Sequence, residues 1–241
     1  MTAQPADDAA IAALQREISR VQACSAARAA DPALARALER LTDWQVRRMR
    51  ATYADLDASA RYAPAMTFFT TDLYGSPDFA RRDGNLMRGV PAMRRLLPGN
   101  VLQTVVAAVE LNALSRELDR AMIDRLAPDG ARFTVADYCN AYRGMGEYHR
   151  RTRQIRLIGD VGAALDRYVR KPMLRGALKM MRGPARIAGL SALQDFLERG
   201  FAAFAHMRGA ADFLATIESR ETALHDAIVG GADDPFPDPM A

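Results

Sequence analysis

The stretch DAAIAALQREISRVQACSAARAADPAL, residues 8–34, sets the terms for reading the rest of the chain. Within it Ile11, Leu14, Ile18, Val21 and Cys24 recur at the spacing that lines one side of an α-helix and that no strand shares. Its end, Asp31-Pro32, joins a side chain able to accept from free amide groups to a ring already fixed at helical φ. A helix over roughly 8–30 is predicted, followed by a second from Pro32 in which Leu34, Leu38, Leu41, Met49, Tyr53 and Leu56 keep the spacing to about Ala60. The chain therefore opens on a helical hairpin.

The same punctuation recurs further along. Pro64 interrupts, Phe68, Phe69 and Leu73 form a short aromatic helical segment closed by Gly75, and Ser76-Pro77 restarts a helix. After Pro91, Pro98 and Gly99, Asn100 is read as the cap of a long helix carrying Val105, Val109, Leu111, Leu114, Leu118 and Met122, and residues 127–130 are read as a turn. Thr134 with Asp137, and Ser191 with Gln194, have the spacing of capping boxes, the first leading into a helix with Tyr138 and Tyr142 on one side. From Gly146 to Arg182 the helical pattern is cut by Gly159, Gly162, Pro172 and Gly176, which predicts two or three segments. Phe196, Leu197, Phe201 and Phe204 build an aromatic stripe, and a last helix with Phe213, Leu214, Ile217, Leu224 and Ile228 stops at Gly230-Gly231. The expectation is an all-α fold, one bundle-like domain of about eight helices over residues 1–231, with an acidic, proline-rich tail, 232–241, disordered.

Composition agrees and narrows the class. Of 241 residues, 49% are hydrophobic, enough to bury a sizeable core, and the skew to Ala, Leu and Arg favours helix. No signal peptide and no run long enough to span a bilayer is visible, so a soluble protein of the cytoplasm is expected. Cys24 and Cys139, without a CxxC or a Cys/His cluster, read as small buried apolar residues rather than a disulfide or zinc site. The net charge of +4 is unevenly placed. Residues 141–190 hold twelve Arg and Lys against Glu147, Asp160 and Asp166, a local +9, which leaves the remainder at −5.

Chemistry is sparsely signposted. There is no Walker loop, dinucleotide fingerprint, nucleophile elbow or HExxH, no Glu-x-x-His pair for a di-iron bundle, no metal ligand set and no indication of a particular cofactor. The basic stretch is the more informative feature: Arg150, Arg151, Arg153, Arg167, Arg170, Lys171, Arg175 and Lys179, interleaved with Leu, Met and Tyr, form a cationic amphipathic surface. Such a surface suits an acidic protein or an anionic lipid surface, with nucleic acid less favoured, or it is a solvated face neutralised by acids elsewhere in the chain. A second constellation is a pocket around Phe68, Phe69, Asp72, Tyr74, Glu221 and His225. Glu221 falls within an apolar stripe, where a carboxylate needs a partner such as an arginine, and His225 lies four residues on, on the same face. His206 reads as a partner of its helix's C-terminal dipole, with a haem ligand as the sharper alternative, and His149, among arginines, reads as solvent-facing.

Phe68-Phe69-x-x-Asp72-Leu73-Tyr74, followed by Asp78-Phe79-x-Arg81-Arg82-Asp83, resembles the bacterial proteins named for their FFLEELY motif, with Thr70-Thr71-Asp72 where the name reads Leu-Glu-Glu. Phe201-x-x-Phe204, Phe213-Leu214-x-x-Ile217 and Arg220-Glu221 are similar to that family's C-terminal part, so the likeness covers most of the chain. The resemblance implies a helical protein without an assigned activity and brings no catalytic residue with it. The functional expectation is a non-enzymatic binding protein whose face over 150–186 meets an anionic partner. The alternative is a helical-bundle enzyme or cofactor binder built on the pocket.

Overall fold

The computed structural model describes residues 4–73, 87–91, 93–94, 97–126, 133–187 and 189–240, and among these every regular element is helical. α1 (Gln4–Ala30) buries Leu14, Ile18 and Val21 completely, and its partner is α5 (Gly99–Ile123), which returns Leu102, Val109 and Ala113 to the same interface. Asp31 stops α1 and starts α2 (Pro32–Thr52) as its spacing predicts: its carboxylate accepts from the amides of Ala33 at 2.9 Å and Leu34 at 3.0 Å. Two short turns, α3 (Ala54–Asp57) and α4 (Ala63–Thr67), lead into a π-helical segment, Phe68–Leu73, that tucks Phe68 and Thr70 inside. There Phe68 meets Gly200, where a Cβ would lie 2.9 Å from the ring tip and would force the ring to shift. The restart expected at Ser76-Pro77, Tyr74 and the turn at 127–130 lie outside the described residues.

α6 (Val135–Met145) begins with the expected capping box, the Asp137 carboxylate accepting from the Thr134 amide at 2.8 Å and the Thr134 hydroxyl from the Asp137 amide at 3.2 Å. α7 (Tyr148–Val169) runs unbroken through Gly159 and Gly162. The break comes instead before Pro172, whose ring cannot supply the amide a continuous helix needs, giving α8 (Pro172–Met180) and then α9 (Arg182–Ile187). α10 (Ser191–Met207) and α11 (Ala211–Val229) complete the set. Among the described residues, eight helices are nine residues or longer. α7 lies centrally, packed on α5, α10 and α11, while α2 crosses α5.

Three local expectations are corrected. Asn100 is not a cap, because α5 already starts at Gly99 after Pro98. Ser191 is the first residue of α10 and caps nothing, because Gln194 is drawn away to the Leu178 carbonyl at 2.6 Å and Glu198 at 2.8 Å. Nor is the tail over 232–240 free. Phe236 is only 6% exposed, lodged against Trp44 and Tyr138 with ring centroids at 5.9 and 6.1 Å. Arg143 clamps the chain just before it by donating to the Ala232 carbonyl at 2.9 Å and to Asp233 at 2.5 Å. Burial of one aromatic ring and a charge-assisted hydrogen bond outweigh the loose composition around them.

Candidate functional site: a buried polar cavity

α2, α5, α6, α7 and α11 line a cavity of about 90 Å³ whose wall mixes apolar side chains with Gln45, Arg48, Asp119, Arg151, Gln154 and Glu221. Its polar side chains interrupt otherwise apolar stripes. Gln45 stands midway between Leu41 and Met49 on α2, Asp119 follows Leu118 on α5, and Glu221 lies between Ile217 and Leu224 on α11. The helices that bury those stripes therefore bury the polar groups with them, and each must find a partner inside.

Most do. Arg48, with its side chain 13% exposed, donates to both Glu221 oxygens, at 2.6 and 3.3 Å, and the Tyr53 hydroxyl donates to the same carboxylate at 2.6 Å. Burial alone would raise the Glu221 carboxyl, but the Arg48 charge and the bonds from Arg48 and Tyr53 outweigh it and hold it below its ordinary value. Gln45 donates to Asp119 at 3.0 Å, and burial pushes the Asp119 carboxyl up despite Arg151 and Gln45. Tyr142 and His225 share a hydrogen bond at 2.8 Å through Nδ1, the donor being set by the imidazole tautomer. Burial raises the Tyr142 and Tyr138 phenols and lowers the His225 imidazole, so all three favour their neutral forms.

Arg151 is the exception. It is 7% exposed, lies over the Tyr142 ring at 4.8 Å, and donates through Nη1 to Gln154 at 3.1 Å. Its Nε and Nη2 have no hydrogen-bond partner among the described residues. Those two atoms form the side-on fork of a guanidinium, the same edge with which Arg153 grips both oxygens of Glu110 and Arg182 both oxygens of Glu198. Gln45 Oε1, an acceptor on the same cavity wall, is likewise buried without a partner. Beside the Asp119 and Glu221 carboxylates the cavity thus presents an unpartnered bidentate cationic donor edge and one unpartnered acceptor.

The structure sorts the sequence-derived residues. Glu221, His225 and Phe69 line the cavity together. Phe68 packs on Phe196 instead, at 5.2 Å, and Asp72 turns outward to Arg199 at 2.8 Å, so neither joins the pocket. Tyr74 lies outside the described residues. The basic stretch is divided as well. Arg151 is internal, Arg150 pairs with Glu117 and, at 3.3 Å, with Glu147, Arg153 pairs with Glu110, and Arg170 pairs with Asp166 at 2.5 Å. Arg167, Lys171, Arg175 and Lys179 are exposed, Arg175 donating to the Val169 carbonyl at 3.0 Å. His206 meets the Ala60 carbonyl at 3.0 Å, and His149 is exposed. Arg48, Gln45, Asp119 and Gln154 were not anticipated as site residues; a polar residue at an apolar-stripe position was the available signal for Gln45, as it was for Glu221.

Fold and site together define an all-helical protein with an internal polar cavity. The chain belongs to the family described as Domain of unknown function (DUF8198), whose family model matches residues 25–235. No curated protein and no solved structure matches it. Among the described residues, no helix is long and apolar enough to cross a membrane.

Proposed function

We propose that this is a non-enzymatic binding protein whose ligand is a small molecule bearing a carboxylate, or an equally forked oxyanion, together with a hydrogen-bond donor, held in the internal cavity. The observation that carries this reading is the buried, partnerless Nε/Nη2 edge of Arg151. Leaving a charged donor edge unmet in a protein interior is costly unless something meets it. The carboxylate occupies that edge, and the donor reaches Gln45 Oε1. At about 90 Å³ the cavity has room on the order of six waters, hence for a ligand of about that many heavy atoms. Tyr138, Tyr142 and His225, kept neutral, add polarity without charge, and the Glu221 carboxylate on the same wall is paired with Arg48.

Calorimetric titration with glycolate, lactate, glycine and alanine, with inorganic phosphate as a second oxyanion and acetamide as a neutral control, tests it. At least one oxyanion is expected to bind and to lose tenfold or more in affinity in Arg151→Lys, which keeps a cation beside Asp119 and Glu221 but removes the planar fork, with unchanged helical circular dichroism. Equal binding by the variant, or oxyanions no better than acetamide, overturns the reading.

The anionic partner on the basic face keeps a narrower footing, since Arg150, Arg151, Arg153 and Arg170 are engaged within the protein and the available surface centres on Lys171, Arg175 and Lys179. Residues 1–231 are proposed as one helical domain, supported by the contacts of α7 with α5, α10 and α11. Kinship with the FFLEELY-motif proteins is proposed on the sequence likeness of residues 68–74 and 78–83 and of the region from Phe201 to Glu221.

A further inference from the structure

Between Asp166 and Asp195 the chain contains no acidic residue and seven basic ones. The middle of this stretch is α8 and α9, where α8 has no buried residue at all. Three large apolar side chains there stand in solvent: Met173 at 76%, Met180 at 80% and Ile187 at 91% exposure. Met173 and Met180, seven residues or two helical turns apart, fall on one line of α8, and Ile187 continues the same spacing on α9 across Met181, whose amide bonds the Ala177 carbonyl and whose carbonyl accepts from Ala185. Leu174 and Leu178 are half-buried against the body, and Arg175, Lys179, Arg182 and Arg186 occupy the remaining side. At the α7–α8 junction Arg170, Arg175 and Lys179 surround a notch of about 350 Å³.

We propose that α8 and α9 rest on the surface of an anionic membrane, with Met173, Met180 and Ile187 inserted at the acyl boundary and Lys171, Arg175, Lys179 and Arg186 on headgroup phosphates. This rests on the narrower reading of the basic face and is independent of the cavity. Charge complementarity selects an anionic partner, and the apolar stripe selects lipid: it is a ridge along one side of a helix, not a groove waiting for a partner's side chain. An interfacial helix of this kind lies in the membrane plane, its apolar line buried and its long cations reaching to the headgroups. Lys171, Lys179 and Arg186 form no salt bridge among the described residues, Lys179 acting only at Coulombic range on Glu198, which Arg182 already pairs.

Co-sedimentation of the full chain with vesicles of phosphatidylglycerol and phosphatidylcholine, against pure phosphatidylcholine, tests this, with heparin-column retention measured alongside. Binding to the anionic vesicles alone is expected, weakened at least tenfold by 0.5 M salt, by Lys171→Glu with Lys179→Glu, and separately by Met173→Ser, Met180→Ser and Ile187→Ser together, all with unchanged helical circular dichroism. Retention on heparin without vesicle binding overturns the lipid inference and leaves the anionic-face reading standing; neither overturns both. Vesicle binding indifferent to the serine variant overturns insertion of the apolar line.

Discussion

Arg150, Arg151 and Arg153 fall within one turn of α7 and meet three different fates: Glu117, the cavity and Glu110. A rotation of about 100° per residue is enough to separate them. The run of arginines was visible in the sequence, but which of them faces inward depends on how α7 is turned against α5 and α11, and no local pattern records that. Glu221 was legible because a carboxylate in an apolar stripe demands a counter-charge; the identity of that counter-charge, Arg48, required the fold. Arg48→Met leaves Glu221 with the Tyr53 hydrogen bond and only the more distant Arg151 charge, and a loss of roughly 3–5 kcal/mol is expected in urea unfolding, most of it recovered in Arg48→Met with Glu221→Leu. The neighbouring imidazole makes a separate prediction. Burial lowers the folded pKa of His225 below its ordinary 6.5, so its contribution is fully present above that value and lost as pH falls through the lowered one. Unfolding curves between pH 7.5 and 5 are expected to show stability falling on acidification, and more shallowly in His225→Asn.

At the scale of elements, the cap at Asp31 and the box at Thr134 were readable because each acts over three residues of its own chain. The failures at Asn100 and Ser191 arise where tertiary contacts or a preceding proline decide the first helical residue. The tail is the sharper lesson. Three prolines and three aspartates dominate residues 232–241, and composition averages away the single ring that anchors them. Phe236 seals the Trp44–Tyr138 side of the cavity and lies 5.9 Å from the Arg48 guanidinium. Phe236→Ala is expected to weaken tail docking by about 1.5–3 kcal/mol, the value of one buried aromatic. Trp44 is the only tryptophan in the chain, so its emission reports this directly: a red shift with unchanged far-ultraviolet dichroism is expected, and an unshifted spectrum contradicts the packing.

Across the whole molecule, the local +9 of residues 141–190 is divided among three uses. Part is neutralised against acids of α5, α7 and α10, one arginine is carried into the interior, and the remainder lies on α8 and α9 beside the exposed methionines. Helical class was legible throughout, since spacing and caps are local. The cavity was only half legible: Glu221, His225, Tyr138 and Tyr142 share faces with apolar stripes, whereas its decisive residue was hidden among surface arginines. The central claim is that the interior edge of Arg151 holds a small oxyanion. Experimental density for the cavity, in protein purified and crystallised without added carboxylate or phosphate and then soaked with the tightest-binding probe, tests it most directly. The expected result is a forked oxyanion bonded to Arg151 Nε and Nη2 with its donor on Gln45 Oε1; a cavity filled only by ordered water on those atoms contradicts it.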